Sequence, residues 1–169
     1  SLLWTNRIWG GHPHFAESQG GFADPLNILV AWFFEPVYGW GILHWLDMLV
    51  GGAGVYALCR ILGISRWSAT FASIVVIFSG SWMRHQDDLP AFDTLSWLPW
   101  LIVTVEYRIK QPTLLRASLM AIPAALLVFA GYPQITYGAA LYAVVSLPAQ
   151  LFEKESRAFT LKHGWAFLV

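Results

Sequence analysis

The chain has 169 residues, of which 57% are hydrophobic and only 12% charged. A soluble domain carries about 25% charged residues, so this composition is typical of an integral membrane protein. The formal net charge is zero, which excludes a bulk electrostatic attraction to nucleic acid. The single cysteine, Cys59, excludes an internal disulfide framework and a multi-cysteine metal site.

The first 41 residues are predicted to form an outer loop and an interfacial segment on the outer side of the membrane. Residues 1–24 are rich in Gly, His and Trp, a composition too irregular for a strand and too glycine-rich for a helix. The apolar stretch Pro25–Phe34 has about half the length of a membrane span, which needs roughly 20 residues. We therefore predict an interfacial or re-entrant half-helix there, with Asp24 as its N-cap and Pro25 in its first turn.

The rest of the chain, residues 42–169, is predicted to be an all-α bundle of transmembrane helices, because lipid offers no partners for unpaired backbone groups. Small residues at 51–54 and 138–143 favour close packing of these helices. The chain begins without Met and stops in an apolar segment, so we interpret residues 1–169 as one transmembrane domain from a longer protein. The predicted full spans are Ile42–Leu62, Trp67–Met83, Asp93–Tyr107, Leu114–Ala130 and Ile135–Phe152, and a sixth begins near Leu161.

Lys and Arg are concentrated in every second segment between the apolar runs, and this pattern predicts the orientation of the chain in the membrane. Most of them lie in or beside the segments 63–66, 108–113 and 153–160. Cytoplasmic loops of membrane proteins carry an excess of Lys and Arg, so these three segments are assigned to the cytoplasm. Strict alternation then places residues 1–41, 84–92 and 131–134 on the outer side. Two basic residues, Arg7 and Arg84, fall there and are candidates for holding a phosphate.

Acids and imidazoles are concentrated on the predicted outer side, where they can act as general bases or bind a divalent cation. The alternative is that these loops are polar only because they are exposed to water. The densest stretch is RHQDDLPAFD at 84–93. Arg84 can form a structural ion pair with Asp87 or Asp88, or His85 and the acids can face a cavity.

Two further polar positions are predicted near the outer ends of spans. His44 and Asp47 lie one helical turn apart and share a helix face. They can face a wet cavity or form a hydrogen bond that fixes helix packing. Gly131 and Pro133 predict a tight turn between helices, and Gln134 after it can meet a ligand or cap its own helix.

Several motifs together resemble the YfhO-like family of bacterial membrane proteins, within the GT-C class of glycosyltransferases. The main stretch is GGHPHFAESQGGFADPLNIL at 10–29, with a Gly-Gly-x-Pro, a Gln, and a Pro-Leu-Asn that enters a helix. Trp4 and Asn6 precede it, with Arg7 where the family has Pro, and Asp24 stands after an Ala where an aromatic residue is usual. Further matches are His44, GGAGVYALCRILGISR at 51–66, FSGSWMRH at 78–85, the Trp-Leu-Pro-Trp at 97–100 and AGYPQ at 130–134.

The resemblance implies a polytopic GT-C-like bundle in the bacterial cytoplasmic membrane. It implies sugar transfer from a polyprenyl-phosphate donor to a cell-envelope glycan or lipid acceptor at the outer face, with Mg or Mn as the divalent cation if one is needed. The family's catalytic acid is expected upstream of Trp4, so Glu17 is a second acidic candidate. No metal ligand is assigned. The candidate catalytic residues are Glu17, His85, Asp87 and Asp88, and the candidate substrate-binding residues are Arg7, His12, His14, Gln19, His44, Arg84 and Gln134.

Two other functions remain open from the sequence. Broken segments at Pro25–Pro36 and Gly131–Pro133 resemble the discontinuous helices of transporters, so a transporter or flippase of a lipid-linked or small polar substrate is an alternative. A non-catalytic membrane assembly subunit is another. The concentration of polar groups at one interface favours the transferase, because transporter sites lie near the bilayer midplane.

Overall fold

The computed structural model describes residue 11, residues 20–110 and residues 114–152, and all the regular structure within them is helical. The predicted all-α class is thus confirmed for this part of the chain, and the predicted sixth span lies outside it. The helices of the described residues are α1 (Pro25–Phe33), α2 (Pro36–Ile61), α3 (Arg66–Ile77), α4 (Gly80–Met83), α5 (Leu89–Lys110), α6 (Leu114–Leu119), α7 (Ala121–Ala130) and α8 (Pro133–Phe152).

Local signals in the sequence set where several helices begin and end. Asp24 caps α1 as predicted, and the side chain of Ser65 accepts a hydrogen bond from the Ser68 backbone N–H at the start of α3. Helices α1, α2 and α8 each open on a proline, whose missing N–H would have no helical partner at that position. Gly131 ends α7 with φ of 87°, a left-handed conformation that glycine adopts without strain.

Two predicted spans are interrupted in the structure. The segment 67–83 is divided into α3 and α4 at Phe78 and Ser79, where Ser79 is extended. The segment 114–130 is divided into α6 and α7 at Met120. Pro123 explains the second break, because a proline has no N–H to donate to the carbonyl four residues earlier and its ring clashes with that group.

The outer loop predicted at 84–92 is also shorter than expected. Helix α5 begins at Leu89, so only the turn 84–88 separates it from α4. Pro90 is tolerated in the first turn of α5, where its absent N–H breaks no helical hydrogen bond. As a result, Asp93 belongs to a helix and is not part of the loop.

Only α2, among the described helices, is both long and apolar enough to cross a membrane. Its 26 residues make it about 39 Å long at 1.5 Å per residue, which exceeds the roughly 30 Å of a hydrocarbon core. Helix α7 is apolar but shorter. The bundle of five full spans, the domain boundaries and the outward orientation therefore stay predictions.

Helices α2 and α5 form the centre of the packing. Helix α2 also contacts α1 and α3, and α5 contacts α6, α7 and α8. The Trp82 indole lies against Gly51, and Gly54 lies against Pro99, which confirms the close packing predicted for 51–54. In the second small-residue stretch Ala139 is buried, whereas Gly138 has open space around it.

Many large apolar side chains point away from this core. Trp67 is 88% exposed and Val37 is 83% exposed. The same outward arrangement occurs on α3 at Phe71 and on α8 at Leu141 and Val145. Outward apolar surface of this extent is unusual for a monomer in water and suits contact with lipid or with another protein.

Candidate functional site

Three aspartates from separate elements meet in the interior. Asp24 precedes α1, Asp47 lies about midway along α2, and Asp93 lies in the first turns of α5. Their exposed fractions are 0%, 0% and 1%. Buried carboxylates are rare unless they are paired, so this cluster is the most unusual chemical feature of the described residues.

Asp24 is held by donors on both of its carboxylate oxygens. Oδ1 accepts from the backbone N–H groups of Leu26 at 2.8 Å and Asn27 at 3.4 Å, and Oδ2 accepts from the Trp97 indole N–H at 2.9 Å. Burial raises the pKa of the Asp24 carboxyl, and the hydrogen bonds from Trp97 and from the start of α1 oppose that rise. The Asp24 carboxylate thereby joins the start of α1 to α5.

Asn27 makes a second link between α1 and α5. Its Nδ2 donates to the Gly21 carbonyl at 3.1 Å and to Asp93 Oδ2 at 2.6 Å. Both partners are acceptors, so the atom that faces them is the amide nitrogen Nδ2. The amide oxygen Oδ1 therefore points away from these two partners. That Oδ1 is buried and has no hydrogen-bond donor.

Ser96 connects the other two acids. Its Oγ lies 2.9 Å from Asp47 Oδ1 and 2.7 Å from the Asp93 carbonyl oxygen. A hydroxyl has a single proton, so it donates to one of these acceptors at a time. The carboxyl groups of Asp47 and Asp93 are within hydrogen-bonding reach of each other, and Asp47 Oδ2 and Asp93 Oδ1 are buried without a donor.

An open groove of about 450 Å³ lies at the N-terminal part of α2. Trp40 and Trp45, which are 47% and 65% exposed, contribute aromatic surface to it. His44 and Asp87 contribute the ionisable groups, and the remaining lining residues are Gly41, Met48, Phe78, Met83 and Gln86. Asp47 is not among them, so the groove and the buried cluster are separate.

His44 fixes one wall of the groove. Its Nδ1 lies 2.8 Å from the Trp40 carbonyl oxygen and its Nε2 lies 2.8 Å from the Gln86 carbonyl oxygen. Carbonyl oxygens only accept, so both contacts are hydrogen bonds only when the imidazole carries two protons. Of the two alternatives for His44 and Asp47, the hydrogen bond between them does not form, and His44 instead links α2 to the turn 84–88 and lines the groove. Asp47 lies near the middle of α2, because this helix begins at Pro36, before the predicted span.

The groove brings together His44 and Asp87 from the predicted site residues. Arg84 is exposed and Asp88 is half-buried, and neither forms the predicted ion pair within the described part of the chain. The His85 ring lies 6.0 Å from the Tyr132 ring, at the turn that precedes α8, where Gln134 is exposed. The remaining candidates lie outside the described residues: Arg7, His12, His14, Glu17 and Gln19.

Sequence reasoning missed the buried cluster as a unit. It treated Asp24 as a helix cap and, like Asp93, as one acid among several on the outer side. It placed Asp47 on one helix face with His44, either toward a water-filled cavity or hydrogen-bonded to His44. Asn27 was noted only as part of a motif, and Ser96 was not singled out. A carboxylate inside an apolar segment is itself the signal for an interior polar site, and Asp47 and Asp93 both carry it.

Within the described residues, His, Cys, Asp and Glu side chains form no group of three arranged to hold a metal ion. Comparisons with protein-family models, with curated proteins and with solved structures find no match to this chain. The resemblance to the YfhO-like family therefore stays a prediction.

Proposed function

We propose that this chain is part of an integral-membrane glycosyltransferase of the GT-C type. It transfers a sugar from a polyprenyl-phosphate donor to a cell-envelope acceptor at the outer face of the bacterial cytoplasmic membrane. The observation that carries the proposal is the open groove, in which aromatic surface from Trp40 and Trp45 faces the ionisable groups of His44 and Asp87.

This combination suits a lipid-linked sugar. The apolar face of a sugar ring packs on an exposed indole, and a carboxylate can accept the proton of an acceptor hydroxyl. The exposed Arg84, in the turn 84–88 that His44 contacts, can balance the charge of a leaving phosphate. In this proposal Asp87 contacts the acceptor or the sugar, and His44 orients the groove wall.

The surroundings of the groove support a lipid donor. Trp45 and Leu49, which lie one turn apart on α2, are 65% and 66% exposed. This outward apolar strip continues from the groove along the helix that is long enough to span a membrane. A polyprenyl tail can lie along such a strip while its phosphate and sugar enter the groove from the side.

Sugar transfer by the full-length protein in membranes tests the proposal. Polyprenyl-phosphate sugars serve as donors, and the variants are Asp87→Asn and Trp45→Ala. Loss of a general base lowers turnover by about 100-fold or more, so we expect that loss for Asp87→Asn. Trp45→Ala should raise KM for the donor more than it lowers kcat. Glu35→Gln, at an acid before α2 that lies outside the groove, is the matched control and should retain activity. Equal rates for Asp87→Asn and Glu35→Gln would remove Asp87 from the site.

Transport is a second candidate, because Asp47 and Asp93 are both buried between helices and Asp47 is near the middle of α2. Carboxylates at this depth occur on ion and substrate pathways. Reconstituted vesicles separate the two functions. Flux of a lipid-linked or small polar substrate that Asp47→Asn abolishes, with no sugar transfer, would favour the transporter.

A further inference from the structure

We propose that Asn27, Asp47 and Asp93 form a binding site for a divalent, oxygen-preferring cation between α1, α2 and α5. The site is enclosed and is separate from the groove, so it does not rest on the proposed glycosyltransferase function. Its ligands are the three side-chain oxygens that lack a hydrogen-bond donor: Asn27 Oδ1, Asp47 Oδ2 and Asp93 Oδ1.

Charge balance is the first argument. Asp47 and Asp93 are almost fully enclosed, and their hydrogen-bond partners are Ser96 for Asp47 and Asn27 for Asp93. The nearest ionisable base on α2, His44, directs both ring nitrogens to backbone carbonyl oxygens. Two buried negative charges within hydrogen-bonding reach of each other repel strongly and are unfavourable without a compensating positive charge. A divalent cation compensates both.

The hydrogen bonds around the cluster are the second argument. Ser96 Oγ lies 2.9 Å from Asp47 Oδ1, and the Asn27 amide donates to Asp93 Oδ2. Each carboxylate therefore has one oxygen held by a neighbour and one oxygen left over. Metal-binding carboxylates are commonly oriented in this way, with supporting hydrogen bonds on the oxygen that does not ligate.

A shared proton explains less of the geometry. One proton between Asp47 and Asp93 would satisfy their two free oxygens, but it would leave one buried charge. It would also leave Asn27 Oδ1 without a donor, although that atom belongs to the same planar amide that donates to Asp93. Carboxylate and amide oxygens are the ligands preferred by hard divalent cations such as Mg²⁺ and Ca²⁺.

Binding at this position would fasten the short helix α1 to the two central helices. Asn27 lies on α1, Asp47 on α2 and Asp93 on α5. A ligand that binds only the folded arrangement stabilises it by mass action. For a chain of this size we expect Tm to rise by about 5 °C or more at a hundredfold excess over Kd.

Thermal unfolding of the full-length protein in detergent, after treatment with EDTA, tests the site. MgCl₂, CaCl₂ and MnCl₂ are added separately, with NaCl at matched ionic strength as the control salt. We expect at least one divalent salt to raise Tm, and we expect Asp47→Asn and Asp93→Asn each to abolish the rise. Glu35→Gln should keep the full rise. The proposal is overturned if no divalent salt exceeds NaCl, or if the variant Asp47→Asn/Asp93→Asn responds like the wild type.

If Asp47→Asn and Asp93→Asn do not accumulate in membranes, two other experiments decide the test. They are the variant Asn27→Asp and a direct measurement of cation binding. Asn27→Asp replaces an amide that donates to Asp93 with a third carboxylate, so it should lower Tm in EDTA and enlarge the rise with the divalent cation. Equilibrium dialysis of the wild type against the active cation should give about one ion per chain. If Tm shifts when the pH is lowered in EDTA and dialysis finds no bound ion, the cluster holds a shared proton and the cation site is rejected.

Discussion

The contact between Gly51 and Trp82 gives the most direct test of the packing at the centre of the fold. Gly51 lies on α2, and a methyl group added there would overlap the Trp82 indole. Trp82 is 4% exposed and packs with Met48 and Phe92, so the indole has little room to move. Its ring meets the Phe92 ring edge to face, with 5.4 Å between the centroids. Gly51→Ala is therefore expected to displace Trp82.

The magnitude follows from three contributions. Overpacking a well-filled core costs about 1–3 kcal/mol, and loss of the Trp82–Phe92 pair adds about 0.5–1.5 kcal/mol. Replacing a helical glycine by alanine returns about 1 kcal/mol through helix propensity. The net expectation for Gly51→Ala is a loss of about 0.5–3.5 kcal/mol in the free energy of unfolding, which sums these terms.

Thermal unfolding in detergent measures the change, with Gly138→Ala as the matched control. Gly138 is also helical, but an added methyl group there meets no atom within 4 Å, so alanine should be neutral or stabilising. Trp82→Leu should relieve the overlap, so Gly51→Ala should cost much less in that background than in the wild type. The reasoning is refuted if Gly51→Ala and Gly138→Ala have the same Tm, or if Trp82→Leu does not change the cost.

Three further substitutions test the local contacts by the same unfolding measurement. Trp97→Phe keeps an aromatic ring but removes the N–H that donates to Asp24 Oδ2. We expect the free energy of unfolding to fall by about 1–3 kcal/mol. An unchanged Tm would mean that this hydrogen bond contributes nothing. Gly131→Ala places a side chain at φ of 87° and should lower the free energy of unfolding by about 1–2 kcal/mol, whereas Gly138→Ala should not. Equal effects of the two substitutions would contradict the left-handed conformation at Gly131. Ser65→Ala removes the N-cap of α3 and should cost about 1 kcal/mol, which Ser65→Asp should largely restore.

Local caps and turns were predicted well from the sequence, whereas the limits of several spans were not. Asp24 and Gly131 act on backbone groups within four residues of themselves, and those interactions hardly depend on the rest of the chain. The break at Met120 was equally local, since Pro123 lies within one turn of it, but the apolar run 114–130 obscured it. Hydropathy alone does not register a missing backbone donor.

Residue chemistry was harder to place than backbone structure. The sequence predicted that His44 would lie near the outer end of α2, but its partner proved to be the Gln86 carbonyl and not Asp47. Residues three apart share a helix face, yet the neighbouring elements decide which of them meets another chain segment. Here the turn 84–88 lies over His44, and α5 lies over Asp47.

By itself, the sequence determined the helical class, the caps and the glycine-rich contact surface of α2, because these depend on composition and on neighbours along the chain. Only the tertiary structure decided that Asp24, Asp47 and Asp93 meet. The links that join them connect residues 49 to 73 positions apart, namely Ser96 with Asp47, Asn27 with Asp93, and Trp97 with Asp24. Periodicity in a single sequence predicts which residues share a helix face, but it does not predict contacts between residues so far apart in the chain. The meeting of the three aspartates arises when α1 and α5 pack on α2 and enclose the three carboxylates together.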